Sequence, residues 1–266
     1  TGEFYQQKPD VESELRNINY FLSKVFPDAL VSMDLRLRQA WEEAGFSADK
    51  IEHPDSMPMV TMGTWVGGDR DGHPLVTAEV TTRALNLFRS TALDIANERL
   101  ETLGQRLSLG DHLQLPPAVF VKQVEKHAAV QGEAGEAALK RNIGETWRQY
   151  INLTRLRLPN AEGELGAGQH RTPEGVIADL LFLRETLVEV GAGRIARAEL
   201  DPLLRFLRTF GFHMAVLDIR QNSAFHDKAI GQLLAATGQD DTHYAQWDES
   251  RRLGFLDSEL RSTRPF

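Results

Sequence analysis

"PMVTMGTWVGGDRDGHPLVT", residues 58–77, is where the helical rhythm of the chain first breaks. Residues 58–66 are rich in β-branched side chains, begin at a proline and run into Gly67-Gly68. That is the length, composition and punctuation of a strand. Asp69, Arg70, Asp71 and Gly72 follow, and Thr77 is suited to cap a helix. A second segment of this kind, "GFHMAVLDIRQ", occupies residues 211–221. Each is preceded and followed by helical sequence, the order of a parallel β/α arrangement. Period-two alternation puts Phe212, Met214, Val216, Asp218 and Arg220 on one face, with Leu217 and Ile219 on the other. In β/α barrels ligands gather at the C-terminal ends of the strands. Arg220 stands at that end of one segment, and Trp65 with the glycine loop at that end of the other.

The rest reads as helix. Residues 10–26 place Leu15, Ile18, Leu22 and Val25 at helical spacing. Pro27 is expected to interrupt, with a second helix closing at Gly45. Beyond Thr77 a long helix has Val80, Ala84, Leu87, Phe88 and Ile95 along one stripe. One or two helices are expected over 115–157, broken near Gly132–Gly135. Residues 159–175 are glycine-rich and polar and read as an exposed, flexible loop. Thr172-Pro173-Glu174 opens a helix that ends at Gly191 or Gly193, and another covers 197–210. The fold class is therefore mainly α with a few parallel strands, and residues 1–266 read as a single unit.

Composition narrows the function. The chain has 266 residues, a formal charge of −8, 41% hydrophobic and 26% charged residues, and no cysteine. That is a globular composition with enough apolar residues for a core. The acidic balance argues against nucleic acid as partner, and no apolar run suits a membrane span. Lack of cysteine excludes disulfides, thiolate metal sites and a cysteine nucleophile. A cytoplasmic location is expected. The first residue is Thr1, not methionine, which suggests an excised piece of a longer protein.

Two readings of residues 64–77 stand side by side. Backbone N–H groups between strand and helix can cradle an anion, with Arg70 adding a planar fork. Alternatively this is a structural turn, with Asp69 and Asp71 capping local amides and Arg70 pairing with one of them. A calcium loop fits poorly, because His73 and Val80 stand at ligand positions. A Walker loop is excluded, because no Gly-Lys-Ser/Thr follows. Near the second segment, Asp218 is expected to orient Arg220 by an ion pair. His213, on the face away from Arg220, reads as packing or as support behind the site, and His226 as a structural helix residue within reach of a carboxylate. The sequon at Asn152 is discounted as helical.

The wording of the motifs is more specific. "GTWVGGDRDGHPLVTAEVT", residues 63–81, resembles the Trp-Met-Gly-Gly-Asp-Arg-Asp-Gly-Asn-Pro segment of the phosphoenolpyruvate carboxylase family. "FGFHMAVLDIRQNSAFHDKAI", 210–230, resembles that family's Leu-Asp-Ile-Arg-Gln-x-Ser-x-x-His segment. "FLDSELRSTRPF" and "ESELRNINYFLSKVFP" resemble flanking parts in the right order. The resemblance implies an inner portion of a longer lyase built on a (β/α)8-type barrel with long extra helices. Such enzymes join phosphoenolpyruvate and bicarbonate, with Mg²⁺ or Mn²⁺, to give oxaloacetate and phosphate, by way of carboxyphosphate and the pyruvate enolate. It also implies a homo-oligomer and a role in feeding the tricarboxylic acid cycle. Arg220 takes the substrate-site arginine's place. Trp65, Gly67, Gly68, Asp69, Arg70, Asp71 and Gly72 line the same barrel end, supported by Asp218, Gln221 and His226.

The departures bear on activity. The family's Thr-Ala-His-Pro-Thr-Glu segment, with the catalytic histidine, is absent, as is its Gly-Arg-Gly-Gly loop. No catalytic residue and no metal ligand is therefore expected within residues 1–266, and the chain alone is expected to be inactive. Val66 and His73 replace the family's methionine and asparagine. Leu75 replaces an arginine of some plant members, so sugar-phosphate activation through that position is not expected. The rival reading is a non-catalytic helical module that kept the anion pocket and lost the chemistry.

Overall fold

The computed structural model describes residues 10–71 and 75–263. Gly72 and His73 lie outside the described residues. Helix α1 (Val11–Tyr20) starts at Asp10, whose carboxylate accepts the Ser13 amide at 2.7 Å. Pro27 does not interrupt the helix as expected. A π-helical turn, Phe21–Val25, leads directly into α2 (Phe26–Glu43), and the Phe26 amide reaches back to the Phe21 carbonyl. The wider turn accommodates the proline, which has no N–H and whose ring would otherwise meet the preceding turn's carbonyl. The same device recurs at Pro202. There α8 (Gly193–Ile195), a π turn (Ala196–Leu200) and α9 (Asp201–Phe210) form one continuous helical stretch, longer than the expected 197–210. At the end of α2, Gly45 takes φ +80° and the Phe46 amide bonds the Trp41 carbonyl at 3.1 Å, as a glycine-terminated helix should.

Helix α3 (Ala78–Arg106) is the axis of the molecule. Ala84, Phe88, Ala92, Ala96 and Leu100 are buried along it, and it packs on α1, α6 and α9. Three helices, not one or two, occupy the next region: α4 (Ala118–Val130), α5 (Gly132–Arg141) and α6 (Thr146–Leu156). Gly132 at φ +54° and Gly144 at φ +76° make the breaks. Phe120, Trp147 and Tyr150 fill the space between these helices and α7 (Pro173–Glu189), with ring centroids 4.6 and 4.9 Å from Phe120. The connector before α7 is exposed over 161–167, but its far end is tied down. The His170 amide donates to the Arg157 carbonyl at 2.8 Å. Asp179 of α7 receives Arg157 at 3.0 Å and His170 at 3.2 Å. Buried pairs Arg184–Asp201 at 2.7 Å and Arg205–Asp34 at 2.9 Å join α9 to α7 and α2.

The two strand segments do pair in parallel, with their C-terminal ends together. They are shorter than expected: β1 is Gly63–Thr64 and β2 is Val216–Leu217. Two residues at positive φ, Gly211 at +55° and Met214 at +58°, fold 211–215 into a turn before β2 begins. That turn breaks the two-residue alternation. Phe212 and Met214 are buried beneath the sheet, Val216 is 53% exposed, and Leu217 turns toward the core. His213 is exposed rather than packed, with its ring against the Gly211 backbone. Beyond Thr64 the chain loops out and returns, so that Asp69 forms an isolated parallel bridge with Arg220. Helix α10 (Ser223–Ala236), capped by Asn222, and α11 (Glu249–Leu260), capped by Asp248, complete the chain.

Two glycines set how closely these layers meet. Gly67 has φ +88°, and a Cβ on it would lie 2.7 Å from the Ala84 Cβ of α3. A Cβ on Gly68 would lie 2.4 Å from the Asp218 carbonyl oxygen. Gly68→Ala is therefore expected to cost about 1–3 kcal/mol, the usual scale for overpacking. Gly254→Ala in α11, with nothing within 4 Å of the added methyl, should be neutral or stabilising. Urea midpoints measure both, and equal midpoints would refute the close approach. A second expectation concerns His127, which is 2% exposed with Nδ1 unpartnered. Burial, then the charges of Arg157, His170 and Lys126, push it down to about 4 from 6.5. The folded state thus holds the neutral ring, so its stabilising share is complete above pH 6.5 and is lost as pH falls toward 4. Burial raises Asp179, which acts in the opposite sense. His127→Gln should flatten the loss of stability between those pH values, as read from denaturant midpoints across that range.

Candidate functional site

At the C-terminal ends of the strands, the backbone donors are already engaged. The Gly68 and Asp69 amides both donate to the Trp65 carbonyl at 2.9 Å. The Arg70 amide donates to the Arg220 carbonyl at 2.9 Å, and the Asp71 amide to Asp69 Oδ1 at 3.2 Å. The Val66 amide reaches Thr64 Oγ1 at 3.2 Å. These five N–H groups serve the turn, as the structural reading held. That reading was right about Asp69 capping a local amide and wrong about Arg70, which pairs with neither aspartate. Arg70 Nη2 instead donates to Thr81 Oγ1 at 3.1 Å, on α3.

The side chains remain. Arg220 lies past the end of β2 with its side chain 60% exposed. Its partner is Asp69, Nη1 to Oδ2 at 3.3 Å, and not Asp218 as expected. The register explains this, because the Asp69–Arg220 bridge sets the two residues side by side. What Asp218 supplies is backbone: its carbonyl covers Gly68, and its amide donates to the Thr64 carbonyl at 2.8 Å. Trp65 is 60% exposed at the end of β1. Gln221 Oε1 accepts the Asn222 amide at 2.9 Å, just ahead of α10. His226 is exposed on α10 and makes no hydrogen bond among the described residues.

The structure joins Asp69 and Arg220 as reachable side chains, and Trp65 is exposed at the end of the neighbouring strand. Gly67, Gly68 and Arg70 lie beneath them as support, and His226 stands apart. Thr81 was missed by the sequence reading. Its hydroxyl donates to the Gly67 carbonyl at 2.8 Å from a position fourteen residues on. Such a contact has no local sequence signal beyond a threonine one turn after the Thr77 cap. Among the described residues no three His, Asp or Glu side chains gather closely enough to hold a metal ion.

Substituting Asp69→Asn removes the counter-charge from a partly exposed pair, and such pairs contribute about 0.2–1 kcal/mol. The melting temperature should fall by no more than a few degrees, as calorimetry would read. A collapse of the fold would show that the pair is structural.

Comparison with known proteins identifies the family. The family described as phosphoenolpyruvate carboxylase has a model that matches residues 1–266. A protein of that name from Rhodopseudomonas palustris is 33% identical over 258 residues, 96% of this chain and 27% of the relative. One from Thermus thermophilus is 32% identical over 265 residues, 100% of this chain and 28% of the relative. One from Aromatoleum aromaticum is 35% identical over 215 residues, 77% of this chain and 22% of the relative. The chain thus spans about a quarter of the length of the curated relatives it matches. With both loop motifs at the ends of paired parallel strands and a match along its whole length, this chain belongs to the phosphoenolpyruvate carboxylase family.

Proposed function

We propose that these residues form one wall of a phosphoenolpyruvate carboxylase active site, working within a chain as long as the relatives. The observation that supports this reading best is Arg220. It is a mostly exposed arginine side chain at the C-terminal end of a parallel strand, held at one guanidinium nitrogen by an aspartate. Phosphoenolpyruvate is a small, densely charged anion. Arginine offers it two parallel N–H donors and keeps its charge at any working pH. The other guanidinium donors of Arg220 are free to meet it among the described residues. Trp65, 60% exposed at the end of the neighbouring strand, offers an apolar surface on the same side of the sheet.

The reading includes a (β/α)8-type barrel. Parallel strands are ordinarily covered on both faces, and a pair alone is marginal in water. Here β2 has only β1 as a hydrogen-bonded neighbour among the described residues, and Val216 and Ile219 are 53% and 57% exposed. Further strands and helices of the longer chain are proposed to cover them. Bicarbonate, Mg²⁺ or Mn²⁺, the family histidine and assembly into an oligomer belong to that longer chain. Residues 1–266 alone are proposed to be inactive. Among the described residues no helix is long and apolar enough to cross a membrane, and a cytoplasmic enzyme is proposed.

The test is Arg220→Lys in the full-length chain, which keeps the charge and loses the fork. Because its ion pair is partly exposed, the melting temperature should barely move. The kcat/KM for phosphoenolpyruvate should fall roughly ten-fold or more, the scale of a lost charge-assisted hydrogen bond. Unchanged kinetics with a clearly lower melting temperature would make Arg220 structural.

A further inference from the structure

Thr81 is a buried hydroxyl in the first turns of α3, with three oxygen or nitrogen neighbours. A helical threonine ordinarily donates to the carbonyl one turn back, and here Thr77 O lies at 3.2 Å. The Gly67 carbonyl is closer, at 2.8 Å, so the single proton of Thr81 goes to the loop. The oxygen then accepts from Arg70 Nη2 at 3.1 Å. One hydroxyl therefore holds the loop on both sides of Asp69: by a carbonyl two residues before it and a guanidinium one residue after. Arg70 Nε is buried without a partner, so the Thr81 oxygen is what fixes that guanidinium among the described residues. Gly67, pressed against Ala84 of the same helix, lets the loop come near enough for this clasp.

We propose that Thr81 is a positioning residue for the Arg220 site. It pins the arc 67–70 to α3, and Asp69 at the top of the arc sets the direction of the Arg220 guanidinium. The proposal rests on the anion-binding reading of Arg220 given above. Thr81 touches no substrate in it, so its effect must pass through Asp69. Arginine held loosely binds an anion less well, because the fork must be ordered at the moment of binding.

The experiment uses the full-length chain with Thr81→Val, Thr81→Ser, Asp69→Asn, Arg220→Ala and the double variant Thr81→Val/Asp69→Asn. Valine keeps the shape and removes both hydrogen bonds; serine keeps the hydroxyl. Thr81→Val should raise KM for phosphoenolpyruvate roughly ten-fold with kcat changed far less, the scale of a buried polar contact left unmade. Thr81→Ser should restore KM to within about two-fold. The double variant should be no worse than the poorer single variant, since both act through Arg220. If Arg220→Ala raises KM while Thr81→Val leaves it within about two-fold of the parent, Thr81 has no positioning role and the anion reading stands. If Arg220→Ala leaves KM unchanged, the anion reading fails and the Thr81 assignment with it. Additive effects in the double variant, or no rescue by serine, would also overturn the proposal. Should Thr81→Val not fold, Thr81→Ala and Thr81→Cys carry the same thresholds.

Discussion

The constraint on which the site depends is the absence of two side chains. Gly68 lies so close to the Asp218 carbonyl that a methyl group there would overlap it, and Gly67 lies as close to Ala84. Remove either gap and the loop cannot sit between β2 and α3. The Arg70 amide would lose the Arg220 carbonyl, Thr81 would lose Gly67, and Asp69 would not stand beside Arg220. These contacts are individually modest, on the order of 1 kcal/mol for a hydrogen bond. They matter together because each fixes the geometry that the next requires. The glycines thus serve packing, and through packing they serve the site.

That loop does not hold the protein together. The stabilising burial is in α3, α6, α7 and α9, where Phe88, Leu100, Trp147, Tyr150, Leu180 and Phe210 are nearly inaccessible. Burying one such side chain contributes about 1.5–3 kcal/mol, more than any single contact at the strand ends. The π turns before Pro27 and Pro202 belong to this helical part. They let a helix continue through a proline at the cost of a wider turn, and so keep long helices packed against α3.

Much of this was legible in the sequence, for physical reasons. The pairing of the two strand segments followed from β-branched runs bounded by glycine and proline. Thr77 and Gly45 marked helix ends through capping chemistry that acts within three residues. The face assignment in 211–221 failed because Met214, a residue type that rarely takes positive φ, does so here; nothing local announces it. The break at Pro27 failed because a π turn depends on the helix's tertiary seat. The partner of Arg220 was misassigned because alternation names neighbours along a strand, whereas the bridge to Asp69 is a contact across strands. Thr81 escaped notice for the same reason: its partners are far away in sequence. Residues that act through local backbone are readable from a chain; those that act across layers are not.

The pairing of Arg220 with Asp69 suits the function proposed for it. An arginine left alone at a barrel mouth would sample many rotamers, and ordering it would weaken binding. One locked into a buried pair would be stiff, but removing its partner would cost several kcal/mol. Asp69 and Arg220 lie between these cases, 3.3 Å apart and joined at a single guanidinium nitrogen, with 28% and 60% of their side chains exposed. In such a setting the pair is worth about 1 kcal/mol or less. A phosphate or carboxylate offering two charged oxygens to the same fork makes shorter bonds, roughly twice as strong as neutral ones. Such an anion meets the guanidinium donors that Asp69 leaves open, since the aspartate holds one nitrogen alone. The contact that orients the arginine in the free protein thus leaves the ligand its place.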